Sequence, residues 1–295
     1  FKEEYSIAQP SALKILTNDG NIQITPSTGN KVEVYYIVKK DMRIIDINRA
    51  ELEEKLILEV EKNQNSLEIK VTQKNGFSNW RNRMYVSFKV LVPKQTSCEL
   101  QSSDGNIHIE GLIGNQDLKT SDGNIQIRKI TGQITGRTSD GNIDISTVNG
   151  NIRMVTSDGN IVGANIQGDL ELTSSDGDIH STNTNGNTNL KTSDGNVLFE
   201  DLSGSLKATT SDGDIRGNIN ELKNKLELRT NDGNIDVSVP DGQGLNLALK
   251  GEKIRTELKK FDGTSKDNSV TGKINGGGIP VELVANDGKV TLLYK

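Results

Sequence analysis

From residue 101 onward, apolar and polar positions alternate in short bursts that return every 18 residues. Each burst opens on two aliphatic residues separated by one other, as in Ile107/Ile109, Ile125/Ile127 and Ile143/Ile145. That is the two-residue period of a strand with one buried face. The residue between them faces water and keeps no common chemistry along the chain: His108, Gln126, Asp144, Val162, His180, Leu198, Arg216 and Asp236. Further aliphatics stand before the middle of each period (Leu112, Ile130, Val148, Ile166, Leu202) and after it (Ile134, Ile152, Leu170, Leu206), and supply the opposite wall of a core. One such coil alone has nothing above or below it, so these side chains are buried only if coils stack.

The punctuation between bursts is equally regular. The phrase Thr-Ser-Asp-Gly-Asn-Ile recurs, with small variations, with its Asp at Asp104, Asp122, Asp140, Asp158, Asp176, Asp194 and Asp212, and at Asp232 after a two-residue insertion. Glycine falls every nine residues from Gly105 to Gly213. The pattern predicts an all-β fold, a parallel β-helix or β-solenoid with 18-residue coils made of two nine-residue halves. The Asp-Gly step reads as a tight turn, with Gly supplying φ > 0 and the Asp side chain bonding backbone N–H groups just ahead of it. Coils about 4.8 Å apart leave an interior filled by side chains, so function is expected on an outer face, an edge or an end.

Outside the strict repeat, Lys31 to Val38, Leu56 to Val60, Leu67 to Val71 and Tyr85 to Val92 read as longer strands, and Arg49 to Lys55 as a short helix. Two isolated copies of the repeat flank the regular part, Thr17 to Ile24 and Ala285 to Leu292. The chain thus divides into a strand-rich part (1–100) that caps and continues the solenoid, regular coils (101–240) and closing coils (241–295). Capping is expected because a bare final coil presents an unpaired strand edge. The Gly276-Gly277-Gly278 run has no Lys-Ser/Thr behind it in phosphate-loop spacing and reads as a loop.

Composition narrows the picture. Hydrophobic residues make up 32% and aromatics 4% of 295 residues, values that would suit disorder were the periodicity absent. Lys and Arg total 35 against 40 Asp and Glu, a net charge of -5 with no basic block, so nucleic acid is not an expected partner. One cysteine, Cys98, excludes an intrachain disulfide and reads as a small buried hydrophobe. There is no run of 18 apolar residues, and the chain opens on Phe1 rather than Met. It reads as a trimmed segment, with any signal or membrane tether outside it.

Several segments together carry a family resemblance: Val92-Pro93-Lys94 leading into Leu100-Gln101-Ser102-Ser103-Asp104-Gly105-Asn106-Ile107, the serial Ser-Asp-Gly-Asn-Ile units, and a glycine-rich stretch before one last repeat. In these the chain resembles a bacterial family of putative adhesins, domains of unknown function with β-strand repeats. The resemblance implies a β-helix-like fold at or outside the bacterial membrane and brings no catalytic residues. The expected function is a non-enzymatic cell-envelope or surface binding scaffold, without cofactor, whose partner is a protein or a cell-surface polymer. The alternatives are a structural or sensory module of an envelope-stress system and, third, a polysaccharide-active β-helix enzyme.

Candidate sites are few. The column Asp104, Asp122, Asp140, Asp158, Asp176, Asp194, Asp212 and Asp232 reads first as turn chemistry, with a calcium ladder as the second reading. Calcium nonapeptide repeats carry extra glycines and Asp in both halves, whereas here only one half carries Asp. The column Asn106, Asn124, Asn142, Asn160, Asn196 and Asn234, with Asp178 and Asp214 substituting, reads as a hydrogen-bonding ladder. His108 and His180 stand four coils apart and cannot share a metal. The segment Phe77 to Arg83 holds the single Trp, and Phe77, Trp80, Arg81 and Arg83 are the candidate partner-binding residues, against the plainer reading that Trp80 covers the end of a core. An unbroken repeat offers no inserted loops or paired carboxylates of the kind polysaccharide hydrolysis needs.

Overall fold

The structure, a computed structural model, describes residues 1–41, 43–74 and 84–295. Phe77, Trp80, Arg81 and Arg83 lie outside the described residues. Apart from one helix, Arg49–Lys55, the described secondary structure is β, and the fold is a β-solenoid. The chain forms two compact units, Phe1–Gly150 and Asn151–Lys295.

In both units the coils stack in parallel and in register. In the first, Ile22, Ile107, Ile125 and Ile143 are successive neighbours, and so are Cys98, Gln116 and Ile134. In the second, Ile179, Val197, Ile215 and Ile235 form one column and Leu170, Thr188, Leu206 and Leu226 the other. The aliphatic columns read from the sequence are buried, joined by Leu118, Met154, Leu172 and Leu190, which the nine-residue reading left out. The one bulky core residue in these coils, Phe199, is accommodated by small neighbours in its column, Ser181 and Gly217. A Cβ on Gly217 would lie 2.6 Å from a Phe199 ring carbon. The buried Ser181 hydroxyl is satisfied by Thr184 Oγ1 at 2.8 Å.

Apolar residues such as Ile127 and Ile130 are three apart yet both face inward, which a regular strand cannot do. The residue before the second of them takes a left-handed conformation, which turns the next side chain back to the core: Gly111, Lys129 and Thr147 in the first unit, Asn165, Asn183 and Asp201 in the second. Polar side chains partly offset this cost, as when the Asn183 amide donates to Asn165 Oδ1 at 2.7 Å.

The glycines at the turn correct the sequence reading. Gly105, Gly123 and Gly195 do not have positive φ; their neighbours across the stack demand them, since a Cβ on each would approach the carbonyl oxygen of the preceding coil's glycine to 2.1 Å. Positive φ belongs instead to the half-coil glycines, with φ 142 at Gly132 and 155 at Gly186. The Asp carboxylates do not close the turn either. That role falls to the buried Thr two residues earlier: Thr120 Oγ1 accepts from the Gly123 N–H at 3.3 Å and shares its proton between the carbonyls of Ser103 and Gly105, both at 3.0 Å. Thr138, Thr192 and Thr210 repeat the arrangement, so one hydroxyl both closes a turn and ties it to the coil before.

The Asn column is a hydrogen-bonding ladder, as its sequence suggests. Each side-chain oxygen accepts from the backbone N–H one coil on: Asn106 to Asn124 at 2.8 Å, Asn160 to Asp178 at 2.8 Å and Asp178 to Asn196 at 2.7 Å. A second ladder in the other half, Asn115 to Gln133 and Asn151 to Asp169 to Asn187, escaped the sequence reading.

Both ends depart from chain order in the same way. At the N-terminal end, Ser11–Leu16 lies between Ser66–Gln73 and Thr96–Gln101, and Ile22–Pro26 between Met84–Val92 and Ile107–Glu110. Lys31–Lys40 then pairs antiparallel with Met84–Val92, and Leu56–Lys62 with Ser66–Gln73. The helix that leads into this last strand carries a capping box between Asn48 and Glu51 and buries Leu52. At the C-terminal end, Ile279–Ala285 lies between Ile215–Thr230 and Leu245–Lys250, and Lys289–Tyr294 between Ile235–Val239 and Lys253–Thr256. In each unit a terminal coil is therefore intercalated one place in from the end.

Candidate binding surface

Intercalation of the Ser11–Leu16 strand builds a groove within the first unit. Five parallel strands contribute, in stacking order Ser66–Gln73, Ser11–Leu16, Thr96–Gln101, Gln116–Lys119 and Ile134–Arg137. Leu67, Leu13, Cys98, Gln116 and Ile134 point into the core, so the backbone of this column forms the floor. One wall is the register row Glu68, Lys14, Glu99, Asp117 and Thr135, and the other includes Ser66, Ala12, Ser97, Asn115 and Gln133. The groove has a volume of about 470 Å³, and four strand spacings give it a length of roughly 19 Å.

Its charges are unbalanced. Lys14 Nζ lies 3.3 Å from Glu99 and 3.5 Å from Glu68, and the hydrogen bond to Glu99 foremost holds its ammonium above the usual lysine range. Asp117 accepts from Thr135 Oγ1 at 3.2 Å. The row thus sets three carboxylates against one ammonium. Beneath it, Gln116 occupies a core position that later coils fill with Ile134, Leu170, Thr188 and Leu206. Its amide nitrogen donates to the carbonyls of Gly114 at 2.8 Å and Thr96 at 3.2 Å, while its Oε1 has no partner among the described residues. Cys98 is buried beside it, and burial pushes its thiol up to about 12, so it stays a neutral core group.

Asp104, Asp122, Asp140, Asp158, Asp176, Asp194, Asp212 and Asp232 project from the outer turns; among the described residues their carboxylates form no hydrogen bond or ion pair, and their backbone N–H groups bond to the preceding coil. Among the described residues no group of three or more His, Cys, Asp or Glu is placed to hold a metal ion. His108 lies 3.9 Å from Glu110, and His180 lies 3.2 Å from Glu200 and 3.0 Å from Thr182, each on the surface of its own unit. In the second unit Glu227 is held down to about 2 chiefly by its hydrogen bond to Lys225 and also by Arg229, both on its own strand, and it reaches the neighbouring strand through Lys207 at 3.5 Å.

The class defined by this arrangement is a parallel β-solenoid whose coils are locked by threonine, glycine and amide columns. The chain belongs to the Toastrack DUF4097 family, whose model matches residues 10–184 and again 128–293. Two solved structures are similar to it. A putative cell adhesion protein from Clostridium sporogenes ATCC 15579 is 11% identical over 100% of this chain and 99% of that one, with a TM-score of 0.21. A putative adhesin from Bacteroides fragilis NCTC 9343 is 14% identical over 81% of this chain and 96% of that one, with a TM-score of 0.41. Among curated proteins none matches the chain.

Proposed function

We propose that the chain is a non-enzymatic scaffold of the bacterial cell envelope or surface, and that the groove beside Lys14 and Asp117 holds an extended segment of a protein or wall polymer. The observation that carries this reading is the groove's construction: rows of polar side chains at strand spacing run along a floor of backbone, a layout that suits a chain-like ligand with a short repeat. The carboxylate excess disfavours polyanions and favours neutral or amine-bearing chains. The one ammonium is committed to two carboxylates, and the hydroxyl and amide groups of Ser66, Ser97, Asn115 and Gln133 offer both donors and acceptors.

Peptidoglycan sacculi, a glycan with amine-bearing stem peptides, are a suitable probe. The wild-type chain is expected to co-sediment with them. The Glu99→Lys/Asp117→Lys double variant should lose about tenfold in affinity at an unchanged melting temperature. Loss in Phe77→Ala/Trp80→Ala instead would move the site to that segment. Equal binding by all three proteins would overturn the reading.

A further inference from the structure

Apart from the two-residue strand Arg43–Ile44, four edge strands among the described residues pair on one side only: Lys2–Ser6, Leu56–Lys62, Lys253–Thr256 and Phe261–Lys266. A free edge is a template for another strand, and charge patterning usually decides whether a second copy can use it. Three of the four reject themselves. Lys2–Ser6 in its centred antiparallel register sets Glu4 against Glu4, Leu56–Lys62 sets Glu59 against Glu59 or Glu61, and Lys253–Thr256 sets Lys253 against Arg255.

Phe261–Lys266 differs. After Phe261 each of its residues is exposed, and among the described residues neither Asp262 nor Lys266 has an ion-pair partner. It is joined to Ser269–Ile274 by the two-residue turn Asp267-Asn268, with Lys266 opposite Ser269. In such a hairpin the residues flanking the turn form a hydrogen-bonded pair and bonding alternates from there. Phe261, Gly263 and Ser265 therefore direct their N–H and C=O groups outward. An antiparallel second copy uses those groups only in registers that set odd-numbered residues opposite odd-numbered ones. In the register centred on Thr264, Gly263 faces Ser265 of the second copy, Thr264 faces its equivalent, and Asp262 faces Lys266 at both ends.

We propose that two copies of this chain associate through their Phe261–Lys266 strands, antiparallel and two-fold symmetric about Thr264. Backbone hydrogen bonds at Gly263 and Ser265 and reciprocal Asp262–Lys266 pairs fix the register. This proposal is independent of the groove.

Light scattering of the full chain at low ionic strength over a concentration series tests it. The wild type is expected to shift from monomer to dimer as concentration rises. Asp262→Lys and Lys266→Asp should each raise the dissociation constant about tenfold, because each turns both attractive pairs into repulsions. The exchanged Asp262→Lys/Lys266→Asp protein should recover wild-type behaviour, and thermal melts confirm that all variants are folded. Under mild oxidation Thr264→Cys should give a disulfide-linked dimer and Ser265→Cys should not, with Cys98 too buried to compete. A wild type monomeric throughout, or a dimer unaffected by the single variants, overturns the proposal.

Discussion

Gly195→Ala is expected to destabilise the Asn151–Lys295 unit by about 3 kcal/mol or more. A Cβ at that position would lie 2.1 Å from the carbonyl oxygen of Gly177 and 2.5 Å from its carbon. Both atoms are backbone, held by the parallel ladders that join strand Val197–Thr209 to its neighbours, so neither can give without prying two coils apart. Two control positions separate this mechanism from the general cost of replacing glycine. A Cβ on Gly29 meets nothing within 4 Å, and Gly29→Ala should change stability by no more than about 0.5 kcal/mol. Gly242 also has open space but holds φ 78, so Gly242→Ala should cost about 1 kcal/mol from backbone strain alone. Urea melts should rank the three variants with Gly195→Ala most destabilised, Gly242→Ala next and Gly29→Ala least. Equal effects at Gly195 and Gly29 would mean that the coils do not approach as closely as described.

Removing residues 276–295 should have a larger effect. The Leu245–Lys250 and Lys253–Thr256 strands make their parallel pairs only to Ile279–Ala285 and Lys289–Tyr294, which stand between them and the regular coils. The truncated chain loses the buried Val281, Leu283, Val290 and Leu292. At about 1.5 to 3 kcal/mol each, their burial amounts to about 6 to 12 kcal/mol as an upper bound, comparable to the whole stability of an ordinary domain. Residues 241–275 should then unfold locally, and trypsin should cleave after Lys250, Lys253 and Arg255 at least tenfold faster than in the full chain. Unchanged resistance would show that the outer coil stands without the intercalated one.

Much of this architecture is legible in the sequence, because contacts between coils recur at one fixed separation. The strand pairs, the aliphatic columns and the Asn ladder all follow from the 18-residue period. What escaped was physical role rather than position. Thr120 and its equivalents were visible in the repeat, but a hydroxyl that closes its own turn while bonding the previous coil needs the third dimension to be recognised. The same holds for Gly123, whose reason is a neighbour 18 residues away and not its own φ. The intercalated coils and the groove were out of reach for a different cause. Lys14, Glu68 and Glu99 are brought together by strands that stack out of chain order, and no periodicity links them.

Deleting one whole coil is the most direct test of the account, in which each 18-residue unit is an interchangeable layer. Removal of residues 177–194 lets Gly195 follow Gly159 and sets Phe199 on Gly163, which has no side chain to displace. Removal of 177–185 puts turn glycines over half-coil ones and inverts every column above. The 18-residue deletion is expected to keep a cooperative thermal unfolding transition within a few degrees of wild type, and the nine-residue deletion to show none. Two deletions that melt alike would contradict it.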